Sequence, residues 1–525
     1  MKKLFFKKNL TKNSLFCLIE IIKKSFHKYI KKGAFMKRFL IVFVFVFCIA
    51  FSGCGKNINQ ISKNLDTYTI TARFDEISKV LSAEQTINYT NNTNIVIENL
   101  PLHLYPNAFS ENAKYKPVSL AQTDNAYPNG LDYGKIDVSS VVVNGKKKDV
   151  VIGGVDNNIL SIDVDKLYPD DKVNVTINYS VLLANCKHRL GYGDNTFNFG
   201  NFYPIVCVYD NGEFMQKPYS ANGDPFFSKV ANYDVTLTID KDFILATTGK
   251  VDKKSEKEDF ATYKITADAV RDFAFVISKD FEVISKRVDD TEVSYYYFED
   301  KNYNQSLRAS VDALSTFEDL FGDYPYKTLS VVESDFLHGG MEYPTLVYIS
   351  NDVKDYGEYT NVIVHEIAHQ WWYGLVGNNE YDDAWLDEGL AEMSCFMFYD
   401  QNPQYNVSSS KKKELLMANY VMFLDVFRAV YGKVDESMTR PLDEYISETE
   451  YTYITYVKGN ILFADLQDFV GKKKFQKALK RYFNKNKFGI AGPDDLIAAF
   501  CETCGKSVES FINSYLNGKV KLATK

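Results

Sequence analysis

Two histidines four residues apart, with a glutamate beside the first, set the tightest limit on this chain. His365-Glu366-Ile367-Ala368-His369 lies in a stretch whose apolar positions, Val362, Ile367, Ala368 and Trp371, suit a helix. Residues i and i+4 share one helix face, so both imidazoles can offer nitrogens to one metal ion. Glu366 is offset from that pair yet adjacent to it, where a carboxylate takes a proton rather than ligates. A catalytic centre of this kind needs a third protein ligand and one position left for water. Glu388 supplies the ligand, within Trp385-Leu386-Asp387-Glu388-Gly389-Leu390-Ala391-Glu392. Asp383 reads as the N-cap of this second helix. The 18 residues between His369 and Glu388 are enough to close one helix, turn, and open another facing it. Glu392, one turn beyond Glu388, is a candidate acceptor for a ligating histidine; the alternative is a solvated helix residue. Two His and one Glu suit Zn2+, one ion per chain, and tolerate other divalent ions. All three Trp (371, 372 and 385) fall in these two helices and are expected to pack them together.

The remaining sequence divides into two blocks. Over residues 68–285, Tyr68, Ile70, Ala72 and Phe74 alternate with polar residues, as do Tyr233, Val235, Leu237 and Ile239. Period two marks half-buried strands, and Asn91-Asn92, Asn144-Gly145, Gly153-Gly154 and Asn211-Gly212 read as turns between them. An all-β saddle or sandwich domain is expected there. Residues 286–525 change period. Leu307, Val311, Leu314, Phe317 and Phe321 recur at helical spacing, short β-like runs follow at 329–332 and 346–349, and the rest is mostly helical, for example 411–431 and 461–483. The expected class is therefore multidomain α+β, with the metal-binding helices in the second domain.

Further motifs lie in order around the metal ligands. With His365–Trp372 and Trp385–Glu392, the chain resembles the aminopeptidase N family of gluzincin zinc peptidases. Gly339-Gly340-Met341-Glu342-Tyr343-Pro344 resembles that family's exopeptidase motif, and Tyr451 to Tyr456-Val457-Lys458-Gly459 its catalytic tyrosine segment. Residues 319–333, 89–94 and 102–109 are also similar, so the resemblance covers most of 68–480. It implies a thermolysin-like, mainly helical catalytic domain behind the β domain, and a peptidase acting on peptide substrates. It implies that His365, His369 and Glu388 hold zinc, that Glu366 is the general base, and that Tyr456 stabilises the oxyanion. Glu342 would bind the substrate's free α-amino group, and Gly339, Gly340 and Met341 would line the extended peptide. Tyr343 stands where the family has Asn, and 201–210 offers no evident counterpart of the β-domain segment that contributes a second amine-binding side chain. The chain ends about 70 residues after Tyr456, so a site more open than in long family members is expected. A broader zinc endopeptidase and a non-catalytic peptide-binding relic of the fold are the competing readings.

The N-terminus carries a different signal. Met36-Lys37-Arg38 precedes an apolar run, 39–51, and then Ser52-Gly53-Cys54. A basic start, a short apolar core and small residues before a cysteine are the marks of an export signal, and the run is short for a membrane span. This ending resembles a bacterial lipobox, with Cys54 as the lipidated residue and Phe51 where Leu is usual. The expected division is 1–35 as an upstream extension ahead of the true start, 36–54 as the lipoprotein signal and 55–67 as a polar tether. The expected location is outside the cytoplasm, lipid-anchored to the bacterial cell membrane. Of 61 Lys and Arg, 12 lie in 1–53 against one acid, leaving 49 basic and 67 acidic residues beyond. So acidic a body argues against nucleic acid as a partner. Cys501-Glu502-Thr503-Cys504 has the spacing of half a zinc site, but no second such pair exists and it reads as two helix residues.

Overall fold

A computed structural model describes residues 58–520 and 522 of the chain. The expected upstream extension, signal segment, Cys54 and first tether residues lie outside the described residues. From Ile58 onward the expected tether is not a free spacer. Ile58–Ile61 and Ser62–Asn64 form short helical turns. The Asn232 side chain donates to the Ser62 carbonyl at 2.8 Å, docking them on the first domain.

That domain is built on an eight-stranded sheet. Its central strand, Thr67–Asp75, runs antiparallel to Val80–Thr90 on one side and parallel to Ala231–Asp240 on the other. Tyr68, Ile70, Ala72 and Phe74 are buried, as the alternation requires, and Tyr233, Val235, Leu237 and Ile239 face the same core. Asn144 and Gly145, at φ of 48° and 78°, close a hairpin between Lys135–Val143 and Lys146–Lys148. This is the left-handed geometry for which Asn-Gly is suited. Two four-stranded sheets and a two-stranded hairpin, Tyr209–Asp210 with Glu213–Phe214, complete the domain.

The second domain opens on a mixed five-stranded sheet, in the order Glu282–Val288, Thr291–Tyr297, Thr328–Ser334, Leu346–Ser350 and Gly340–Met341. The expected boundary at 285/286 therefore falls inside a strand, and the change of domain comes at about Phe281. Five of the seven residues of that strand are exposed and none is buried, so no period-two signal marked it. Helices follow, among them Tyr303–Leu320, Tyr356–Ala368, Glu380–Gln401 and Ser409–Tyr431. The helical run expected over 461–483 is two helices, Lys458–Val470 and Lys472–Asn486. Gly471, at φ +84°, separates them.

Arg271 joins the domains. It is buried, and it donates to the Tyr373 carbonyl (2.8 Å), the Ser228 carbonyl (2.6 Å) and the Gly489 carbonyl (2.6 Å). Those three segments are the turn after the histidine helix, the β domain and the C-terminal helical part. Gly377 has no side chain because Arg271 passes there: a β-carbon would lie 2.1 Å from Cζ.

Candidate active site

The histidine helix, Tyr356–Ala368, starts at Asp355, whose carboxylate accepts from the Glu358 amide at 2.9 Å. Its inner face carries Ile363, Val364 and Ile367 into the core. The Glu388 helix spans Glu380–Gln401 with a break at Asp383, whose φ of −132° and ψ of 38° are not helical. The expected N-cap at Asp383 is instead this kink, and the helix is capped by Asn379, whose side chain accepts from the Asp382 amide at 3.3 Å. The tryptophans were expected within these helices, packing them together; Trp371 and Trp372 instead lie beyond the end of the histidine helix, where Trp372 Nε1 donates to Ser394 Oγ of the Glu388 helix at 3.0 Å, and the ring contacts go to other elements. Trp371 meets Phe317 and Phe321, Trp372 stacks near Tyr482, and Trp385 stacks near Phe463. Gly389 and Gly459 let a third helix approach: a β-carbon on Gly459 would stand 2.9 Å from the Gly389 Cα. That approach brings the Tyr456 segment, a π-helical turn over Tyr453–Val457, against the metal ligands.

His365 Nε2, His369 Nε2 and one oxygen of Glu388 form a nearly equilateral triangle. The two nitrogens are 3.1 Å apart and lie 3.1 and 3.2 Å from Glu388 Oε2. Tetrahedral ligands at zinc distances of about 2.0–2.2 Å are separated by roughly 3.3 Å, so the three donors fit one such ion. The far nitrogens are fixed as well. His369 Nδ1 lies 2.8 Å from the Trp372 carbonyl, and His365 Nδ1 lies 3.1 Å from Glu392 Oε1. Each acceptor holds the proton on Nδ1 and leaves the Nε2 lone pair facing the triangle. Glu392 is therefore a partner of His365 rather than a solvated helix residue. Burial works to raise the Glu388 carboxyl, but His369 and His365 more than offset it and hold the group below the ordinary range.

The triangle lies in the wall of a cavity of about 400 Å³ that Gly339, Gly340, Glu342, Glu366 and Tyr456 also line. Burial pushes the Glu366 carboxyl up to about 7, a range suited to a general base. Tyr456 donates to Glu388 Oε1 at 2.5 Å. Gly340 and Met341 form the edge strand of the sheet, beside Leu346–Ser350. Met341 itself does not line the cavity: it is buried, with Sδ 3.1 Å from Arg189 Nε. Glu342 is buried at 3% exposure and has one oxygen, Oε1, without a partner.

A family model described as the peptidase family M1 domain matches residues 305–515. Aminopeptidase 2 of Candida albicans is 31% identical over 216 residues, which are 39% of this chain and 23% of that protein. Endoplasmic reticulum aminopeptidase 2 of Homo sapiens is 30% identical over 236 residues, 41% of this chain and 23% of that protein. These matches span about a quarter of the relatives' length. Among solved structures, an M1 zinc metallopeptidase from Deinococcus radiodurans shares the fold at a TM-score of 0.61 and 15% identity. That likeness covers 87% of this chain and 94% of the other, so both the β domain and the M1 domain are included.

The site also holds features that no local sequence pattern marked. Tyr343 points away from the cavity, and its hydroxyl donates to Asn201 Oδ1 at 2.6 Å. Asn201 donates in turn to Asp272 at 2.7 Å, so the residue after Glu342 is anchored in the β domain. His338 lines the cavity with Nδ1 3.4 Å from Glu448 Oε1. Arg189 and Asp224 form a buried ion pair from the β domain on the cavity wall. Asp224 reads in sequence only as part of an Asn-Gly-Asp-Pro turn, and nothing near Arg189 signals a site.

Proposed function

We propose that the chain is a zinc metallopeptidase that removes N-terminal residues from peptides outside the cytoplasmic membrane. The observation that carries this reading is the meeting of a three-atom zinc triangle with Glu366 and Glu342 on one cavity. The activities named for the matched relatives agree with it.

His365, His369 and Glu388 would hold the ion. Zinc supplies a Lewis acid for the scissile carbonyl and acidifies water. Glu366 takes a proton from the attacking water and delivers it to the leaving amine. The Tyr456 hydroxyl, at the edge of the triangle, donates to the developing oxyanion. Glu342 receives the substrate's α-ammonium, so an acylated terminus leaves its buried charge unpaired and is rejected. Gly340 keeps the wall beside Glu366 low enough for an extended peptide to pass.

The location rests on residues 36–54, with Cys54 as the lipid anchor. Among the described residues, no helix is long and apolar enough to cross a membrane. A Cys54→Ser protein should move from the membrane fraction to the soluble one; unchanged partitioning would overturn the anchor.

The activity is tested by hydrolysis of one peptide set with free and N-acetylated termini, with and without a chelator. Chelator-sensitive cleavage of the free peptides alone is expected. Equal cleavage of both would make this a zinc endopeptidase or broad peptidase. Metal binding without cleavage of either would favour a peptide-binding relic.

A further inference from the structure

The cavity wall carries a carboxylate that neither the metal triangle nor the amine site uses. Glu448 opens the short helix Glu448–Thr452, which runs on into the π-helical turn of Tyr456. Its Oε1 lies 3.4 Å from His338 Nδ1, and its Oε2 accepts from the Ser119 hydroxyl at 3.2 Å. Three segments thus meet at one carboxylate: the β domain through Ser119, the loop before Gly339 through His338, and the Tyr456 segment through Glu448 itself. Among the described residues no Lys or Arg pairs with Glu448, and Arg189, the cation on the same wall, is committed to Asp224. The hydrogen bond from His338 holds the Glu448 carboxyl below the ordinary range, so it carries its charge at neutral pH. Its side chain is 28% exposed and lines the cavity, where a ligand can reach it.

Contacts between neighbouring side chains set Glu448 at the amine end of the cavity. The His338 ring meets the His188 ring edge-on at 5.5 Å. Arg189 follows His188, and its Nε touches the sulfur of Met341, the residue before Glu342, at 3.1 Å. Tyr451, one turn after Glu448, packs edge-on against Tyr456 at 5.7 Å. Gly223 makes room for it, since a β-carbon there would stand 2.2 Å from the Tyr451 hydroxyl oxygen. An aromatic wall therefore leads from Tyr456, past Tyr451, to the Glu448 carboxylate.

We propose that Glu448 selects peptides whose first residue is basic. With the α-ammonium on Glu342 and the scissile carbonyl beside Tyr456, the side chain of an N-terminal Lys or Arg runs along Tyr451 and ends on the Glu448 carboxylate. The chemistry of the wall fits such a side chain along its length. Aliphatic stems of Lys and Arg cover apolar surface while the charged head stays partly hydrated. The head then gains a charge-assisted hydrogen bond from a carboxylate that is already oriented. Because Glu448 is only partly buried, pairing does not strip either charge of all its water, the cost that makes fully buried pairs unprofitable. An apolar first residue leaves Glu448 without a cation, and an acidic one meets a like charge. This rests on the aminopeptidase reading above and names its substrate class.

The test uses the zinc-loaded full chain and two tripeptides, lysyl-alanyl-alanine and norleucyl-alanyl-alanine, whose first side chains differ by the ammonium group. The natural protein should favour the lysyl peptide in kcat/KM by about 10-fold or more. Glu448→Gln should bring that ratio close to one. A purely structural role for Glu448 would lower both rates alike and keep the ratio, which would overturn the proposal. A ratio near one in the natural protein would overturn it too, and that measurement needs no variant to fold. Calorimetric affinities for lysinamide and norleucinamide give the same comparison without turnover. A chain that binds lysinamide about 10-fold more tightly yet cleaves neither peptide would keep the role of Glu448 and remove the peptidase reading. Equal affinities for the two amides, or none for either, would overturn the selection itself.

Discussion

The carboxylate of Glu366 occupies the space that a side chain on Gly340 would need: a β-carbon there would stand 2.4 Å from Oε1 and 2.5 Å from Cγ. The edge strand and the general base are thus fitted to each other, and the flexible member of the pair is the base. Gly340→Ala should therefore push Glu366 aside rather than unfold the chain. We expect kcat to fall by about 10- to 100-fold, since displacing a base removes part of the roughly 100- to 10,000-fold that general catalysis supplies. Zinc content and melting temperature should stay close to those of the natural protein. Unchanged kcat would show that the base has another route to its working position.

Glu366→Gln tests the base more directly. Glutamine preserves size but cannot take a proton. We expect one zinc per chain and a drop in kcat of at least about 100-fold, read by metal analysis beside a peptide assay. Full turnover in this variant would refute the assigned role.

Glu392→Ala probes the support of the metal site. Glu392 orients His365 through its Nδ1 at 3.1 Å without belonging to the metal triangle. Loss of such a partner should weaken zinc affinity by about 10- to 100-fold, measured by competition with a chromophoric chelator. At saturating zinc most of the activity should return, which separates a lost support from a lost ligand.

Asp272 makes stability depend on pH. Burial pushes its carboxyl up to about 6 from an ordinary 3.8, although Tyr203, Asn201 and the Phe273 amide all donate to it. A folded-state value above the unfolded one means that the native state holds the proton more tightly. The contribution is therefore fully present below about pH 4 and is lost as pH rises through about 6. By linkage the shift corresponds to about 3 kcal/mol. Asp272→Asn removes the titration, so the stability of the natural protein relative to the variant should fall between pH 4 and 7. Parallel denaturation curves across that range would contradict the shift.

Tyr343→Phe should cost about 1–3 kcal/mol, because it leaves the buried Asn201 Oδ1 without its donor. If this link also sets the position of Glu342, KM for free peptides should rise while kcat changes little. A stability loss with unchanged KM would confine Tyr343 to a structural role.

The grouping of His365, His369 and Glu388 was legible because they lie within 24 residues on two adjoining helices, where helical period fixes which side chains share a face. Glu392 was legible for the same reason, one turn from Glu388. The anchoring of Tyr343 was not. Its partner Asn201 is 142 residues away and Asp272 another 71 beyond Asn201, so no local pattern could connect them. The expected boundary at 285/286 fell inside Glu282–Val288 because that strand is mostly exposed and carries no period-two pattern to mark it. Gly471 was passed over inside a helical run, since periodicity reports which residues face the core and not whether the backbone continues unbroken.

The three carbonyls held by Arg271 bear on how this molecule can be divided. The match to the family model starts at residue 305, yet the guanidinium clamping the turn after the histidine helix comes from residue 271. The sheet beneath that helix starts earlier as well, at Glu282. A fragment cut at the margin of the recognisable region would lose two sheet strands and a buried clamp together. The region that the family model matches is smaller than the unit of folding, and any truncation meant to isolate the candidate metal centre has to keep the β domain.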